Sequence, residues 1–238
     1  MSKKKLLMFV LLITMLKGFT QQHLLTLSFQ HTVGNQPLVL GETYKNPFGE
    51  NILINRFRYY VSNIVLIDNA NKKHVLPNEY YLIDEADSAS KVITIKSPVT
   101  TIKSIEFLLG VDSIRNVSGV QTGTLDPMKG MFWTWNTGYI FAKLEGTSDS
   151  SQAAAHAFSY HIGGYKPGEN AARKIVLHLP ASANEHPSNI IISANISQWF
   201  QSTTNVYIAQ TPVCHSTGTL ALQIADNYST MFTIAPIK

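Results

Sequence analysis

The stretch GMFWTWNTGYIFAKLEG, residues 130–146, sets the reading of this chain. Side chains two apart on a strand share a face, so Trp133 and Trp135 are expected side by side. Asn136-Thr137-Gly138 supplies turn chemistry, and Tyr139 and Phe141 follow it on a second apolar run. The stretch therefore predicts an aromatic hairpin-like unit, packed against the apolar run around Tyr59 to Leu66.

Outward from this unit the apolar period stays close to two. Leu25, Leu27 and Phe29 alternate with Thr26 and Ser28, and Ile93 and Ile95 flank Thr94. Ile102, Ile105, Phe107 and Leu109 form another run, as do Ile175, Leu177 and Leu179, and residues 189–194 read as a fully buried strand. Turn signals at Gly34-Asn35, Pro47-Phe48-Gly49, Asp68-Asn69, Gly163-Gly164 and Pro167-Gly168 separate these runs. Many short strands at this spacing predict an all-β fold, an antiparallel β-sandwich. One short helix is expected at 219–227, a helical turn at 195–201, and a surface loop at 148–155.

Lys3, Lys4 and Lys5 precede the apolar run Leu6 to Leu16, and Gly18-Phe19-Thr20 offers small residues for cleavage. Residues 1–20 thus read as a secretory signal peptide, too short to span a bilayer comfortably, and the protein is expected to be exported, periplasmic or at the cell surface. Residues 21–238 read as a single domain, a length that one large all-β core accommodates. Four of the 19 basic residues lie in the leader, so the remainder balances the 15 acidic ones. Without a net positive charge the mature chain has no pull toward nucleic acid or an anionic membrane. Cys214 is the lone cysteine, which excludes an intramolecular disulfide despite the oxidising destination.

Carboxylates such as Asp112, Asp126 and Asp226 show no pairing that points to catalysis, and Asp126-Pro127 reads as a helix cap followed by proline at the first helical position. No Gly-x-Ser-x-Gly elbow, His-Glu-x-x-His, phosphate loop or dinucleotide fingerprint occurs. The sequence predicts a binding protein rather than an enzyme.

Six segments occur in a specific order: LSFQHTVGNQPLVLGETYKN from Leu27, RFRYYVSNIVLID from Arg56, GVDS from Gly110, LDPMKGMFWTWNTGYIFAKLEG from Leu125, FSYHIGGY from Phe158 and IADNYSTMF from Ile224. Together they resemble the MbnP-like family, named after a periplasmic protein of the methanobactin operon and similar to copper-repressible surface proteins of methane-oxidising bacteria. The resemblance runs from Leu25 to about Phe232. It implies an exported β-sandwich that binds copper in metal acquisition or handling, with a di-haem oxidase that converts a tryptophan to kynurenine in some members, or an outer-membrane transporter, as partner.

Within that resemblance His161 in FSYHIGGY falls on a metal-ligand position. Neutral imidazole is a good copper donor, and the Gly163-Gly164 turn beside it is expected to leave room for an ion. A specific site needs further donors, for which His31 and His215 are the candidates. Cys214 beside His215 is a soft donor in kind, yet neighbours on an extended strand face opposite ways, and a buried inert thiol is the plainer expectation. Some relatives carry a Trp-x-His arrangement that supplies the oxidised tryptophan, whereas Ser159 stands two residues before His161 here. Trp133 and Trp135 are the remaining candidates for oxidation, although core packing alone accounts for such a pair. The alternative is a secreted interaction or glycan-binding module whose aromatic run makes contact and whose histidines are incidental.

Overall fold

A computed structural model of the chain describes residues 23–135, 138–181 and 187–235. The expected leader lies outside these residues, as do Asn136 and Thr137 of the expected turn. In chain order the strands are β1 (His23–Val33), β2 (Gln36–Pro37), β3 (Thr43–Lys45), β4 (Asn51–Ile67), β5 (Lys73–Val75), β6 (Tyr80–Asp84), β7 (Val92–Ser97) and β8 (Ser104–Leu109). They continue as β9 (Phe132–Trp133), β10 (Gly138–Thr147), β11 (Ala157–Gly163), β12 (Arg173–His178), β13 (Asn189–Asn195), β14 (Val213–Cys214) and β15 (Phe232–Ile234). Helix α1 (Ser113–Val117) follows β8, and α2 (Thr219–Ser229) precedes β15.

Two sheets face each other. In the smaller, β1 pairs with β13 on one edge and with β7 and β2 on the other, and β15 closes the far side of β13. In the larger, β4 is the spine. One of its edges runs along β10 and then β8, while the other is covered by β3, β6 and β5. β11 and β14 extend the sheet beyond β10, and β12 extends it beyond β8. The pairing is mainly antiparallel, as the alternating pattern predicts. β1–β13 and β11–β14 are parallel, because in each case a long excursion returns the chain in the same direction.

A strand as long as β4 has to bend to serve two partners. Its register shifts between Ser62 and Val65, where Asn63 takes φ 52°, a left-handed conformation that asparagine tolerates better than most residues. The inner faces meet through Leu25, Leu27 and Phe29 of β1 and Phe57, Tyr59 and Phe107 of the larger sheet, all buried. Phe29 sits edge-on to Tyr59 and Phe107 at 6.1 and 6.3 Å, and Phe232 edge-on to both at 5.6 and 5.3 Å. These T-shaped pairs place the positive ring edge on a neighbour's negative face, adding to the area they bury.

The segment between β8 and β9 folds over the outer face of β4 and β10. It buries Tyr60 and Tyr139 there, whose hydroxyls donate to the carbonyls of Thr124 and Leu125. Asp126 caps the short turn Pro127–Lys129 by accepting from the Met128 amide, the role its pairing with proline predicts. The expected helix at 219–227 forms, two residues longer, and the turn at 195–201 appears as a 3-10 turn over Ile196–Trp199. Residues 189–194 lie in β13, but only alternate side chains are fully buried, since its second face is only partly covered.

Only one of the two hairpin indoles is buried. Trp133 on β9 is 5% exposed, whereas Trp135, already in the turn, is 63% exposed. The rings still lie side by side, 5.4 Å apart. Trp133 packs over Gly163 of β11, while Tyr139 is the residue that meets Tyr60 of β4, at 6.1 Å. The strand ends before Trp135, so strict alternation no longer governs that side chain.

Candidate functional site

Strand register builds a polar cluster on the outer face of the larger sheet. Lys143 pairs with His161 and Arg58, and Glu145 pairs with Ser159 and Arg56, across three adjacent strands. Phe57, Leu144 and Tyr160 alternate with these residues and point into the core. β14 then runs parallel to β11, with Cys214 opposite Tyr160. Cys214 accordingly faces inward and is buried, and His215, the next residue, faces outward and is exposed.

The two imidazoles stack, with centroids 4.1 Å apart and planes 20° from parallel. Ser159 Oγ lies 2.7 Å from His215 Nε2 and 3.2 Å from His161 Nε2, so both ring nitrogens converge on one hydroxyl. His161 Nε2 also lies 2.6 Å from Glu145 Oε1, and Arg56 donates to Glu145 Oε2 at 2.8 Å. The hydrogen bond from His161, reinforced by Lys143 and Arg56 against the cost of burial, holds the Glu145 carboxyl down at about 2. Lys143 donates to the Gly130 carbonyl at 2.7 Å, and its ammonium is pushed below the usual lysine range, first by burial. His215 is lowered by partial burial and then by the neighbouring His161, so its ring is kept neutral with a lone pair to offer.

Trp135 stands beside this pair. A hollow of about 380 Å³ is lined by Trp135, Cys214, His215 and Thr217. A wider hollow of about 690 Å³ lies over Arg58, Asp84 and Lys129. Arg58 and Asp84 there already close on each other at 2.8 Å.

His31 is not brought to this cluster. It belongs to β1, packs against Phe57 and Tyr59 on the inner face, and is separated from His161 by the sheet itself. Both its ring nitrogens are engaged, Nδ1 with Glu85 at 2.5 Å and Nε2 with Tyr59 Oη at 2.9 Å. Cys214 Sγ faces the Ser216 carbonyl, and burial pushes its thiol up. Among the described residues no three His, Cys, Asp or Glu side chains stand together as a ready metal cage.

The glycines of the HIGGY segment have a packing role rather than leaving space. A Cβ at Gly163 would lie 2.4 Å from the Tyr139 carbonyl oxygen and 2.9 Å from the Trp133 ring. Gly164 has φ +121°, and a Cβ there would lie 2.3 Å from the Glu169 carbonyl oxygen. Glu145 and Arg56 were not singled out by sequence reasoning. Their only signal is the alternation of Lys143 and Glu145 within AKLEG, which leaves open what sits across the strand.

A family model, MbnP, matches residues 22–216. A solved structure, MbnP from Methylosinus trichosporium, superposes with a TM-score of 0.58 at 13% identity, over 84% of this chain and 83% of that one. No curated protein matches the chain in sequence. At that identity the structural likeness speaks for the fold, and the family match for kinship: the chain belongs to the MbnP family.

Proposed function

We propose that the chain is an exported copper-binding protein, working in metal acquisition or handling, whose ion is held at His161 and His215 beside Trp135. The observation that carries this reading is the stacked imidazole pair with both Nε2 atoms directed at Ser159 Oγ. Imidazole suits copper in kind, and His161 on β11 and His215 immediately after β14 are brought together by the pairing of those two strands. The pair supplies two donors. A third would come from Glu145, which already contacts His161, or from a small chelate or water that arrives with the ion. Copper, when bound, would supply Lewis-acid or redox character in place of the Nε2 contacts that the imidazoles now make with Ser159 and Glu145, while Arg56 would hold the Glu145 carboxylate.

Trp135, rather than the buried Trp133, is the indole placed for oxidation by an external partner such as a di-haem oxidase, because it is exposed and lines the same hollow as His215. Delivery to or from an outer-membrane transporter fits the same exported location. Binding rather than catalysis is the proposed role of the chain itself. Among the described residues no helix is long and apolar enough to cross a membrane. A second reading, an interaction or glycan-binding module, draws on the exposure of Trp135 alone.

Metal analysis after copper loading, with intact mass, tests the proposal. Retention of one copper per chain, lost in His161→Ala and in His215→Ala, is the expected result. No retained copper, or retention unchanged in both variants, would defeat it. A mass gain equal to one oxygen replacing one carbon would mark a tryptophan converted to kynurenine.

A further inference from the structure

Among the described residues, buried tyrosine hydroxyls end on peptide oxygens, with one exception. Tyr44, Tyr60, Tyr139, Tyr160 and Tyr228 donate to the carbonyls of Pro37, Thr124, Leu125, Thr211 and Ala171, at 3.0, 3.1, 2.8, 2.8 and 3.1 Å. A carbonyl satisfies a phenol but cannot take its proton. Tyr59, wholly buried, instead faces His31 Nε2 at 2.9 Å. Behind that ring Glu85 contacts Nδ1 at 2.5 Å, and Lys91 contacts both Glu85 oxygens at 3.0 Å.

The protonation states along this line follow from its geometry. Burial keeps His31 neutral despite the opposing pull of Glu85. Burial also pushes Glu85 upward, but the hydrogen bonds from His31 and Lys91 together outweigh it and keep the carboxylate ionised. An acceptor-only carboxylate fixes the proton of neutral His31 on Nδ1, which leaves the Nε2 lone pair for the Tyr59 hydroxyl. Around the phenol, Phe29, Phe57 and Phe232 stand at 6.1, 5.3 and 5.6 Å and exclude water.

We propose that Tyr59 is a redox-active tyrosine that gives one electron to a high-potential metal-complex oxidant of the ruthenium(III) polypyridyl kind, whose metal falls by one oxidation state, while its phenolic proton passes to His31 Nε2. The Tyr59 O–H bond breaks and a His31 N–H bond forms. The electron leaves to the oxidant, and a neutral tyrosyl radical and an imidazolium remain. Glu85 faces the new cation at Nδ1, so the charge develops against a carboxylate already in place. Re-reduction by one electron returns the proton along the same hydrogen bond. The aromatic cage keeps the radical from dimerising with another phenol and from water.

Photogenerated ruthenium(III) polypyridyl, applied to metal-free mature protein and followed by transient absorption and freeze-trapped electron paramagnetic resonance, tests this. The expected result is a long-lived neutral tyrosyl signal that is lost in Tyr59→Phe and forms more slowly in heavy water. His31→Gln, which keeps a hydrogen-bond acceptor but no base, should lose most of the radical yield, with circular dichroism confirming the fold. A signal of equal yield and lifetime in Tyr59→Phe would overturn the proposal. So would the absence of a solvent isotope effect in the unaltered protein, a measurement that needs no variant to fold.

Discussion

His161 on β11 and His215 just past β14 stack at 4.1 Å, because β14 enters the sheet parallel to β11 and its end carries His215 over the outer face. Neither residue's own neighbourhood in the chain implies the other. The contact is made by strand order, and it turns two unremarkable surface histidines into a pair with converging nitrogens.

Replacing either of them should weaken copper binding. His161→Ala and His215→Ala are each expected to reduce affinity by about tenfold or more, roughly 1.4 kcal/mol. Competition against a chelator of known affinity measures it. His31→Ala is expected to leave copper affinity unchanged and to lower the melting temperature, since it strips partners from Tyr59 and Glu85 in the core. Full loss of copper binding in His31→Ala with a native circular dichroism spectrum would contradict this assignment of roles.

Acid should unfold the protein in two stages. His31 is lowered in the fold, so its unfolded form takes up a proton first, and its contribution is complete above about pH 6.5 and declines as pH falls below that. Glu85 and Glu145 are also lowered, so their contributions are present above the ordinary carboxylate range near pH 4.3 and are lost as pH falls through it, for Glu145 toward about 2. Thermal melts from pH 8 to pH 3 should therefore show a shallow slope followed by a steeper one. His31→Gln should flatten the first, and Glu145→Gln should reduce the second. A melting temperature independent of pH over the whole range would refute both.

The two hairpin indoles should differ in their importance to folding. Trp133→Ala removes a buried ring and is expected to cost on the order of 3–5 kcal/mol. Trp135→Ala, at an exposed turn, is expected to stay within about 0.5 kcal/mol plus whatever the stack with Trp133 contributes. Urea denaturation of the two variants gives the comparison, and equal losses would show that the hairpin turn is not as open as described.

Gly163→Ala tests why glycine occupies the HIGGY segment. The added methyl would press on the Tyr139 carbonyl and the Trp133 ring, and overpacking of this kind costs about 1–3 kcal/mol. A neutral substitution would mean that both the β10 backbone at Tyr139 and the Trp133 ring can shift without loss.

The sandwich was legible in the sequence because burial on one face imposes a period of two on strands such as β1, β7 and β12. Leu25, Leu27 and Phe29, or Ile175 and Leu177, announce their faces without reference to any partner. The cap at Asp126 and the helix at Thr219 were legible for the same reason, as both depend on residues a few positions away.

Residues meeting across strands were not legible. Whether His161 faces His215 or His31 depends on which strands adjoin and on which side of the sheet each side chain falls, and a register change of one residue would reverse the answer. Only the tertiary structure placed His31 in the core with Tyr59 and Glu85, and joined His161 to Glu145, Arg56 and His215 outside. It likewise divided Trp133 from Trp135, since the strand ends between them and the turn, not the alternation, directs the second indole. The sequence by itself determined which residues are apolar enough to form the two faces; the pairing of strands decided which polar groups share one.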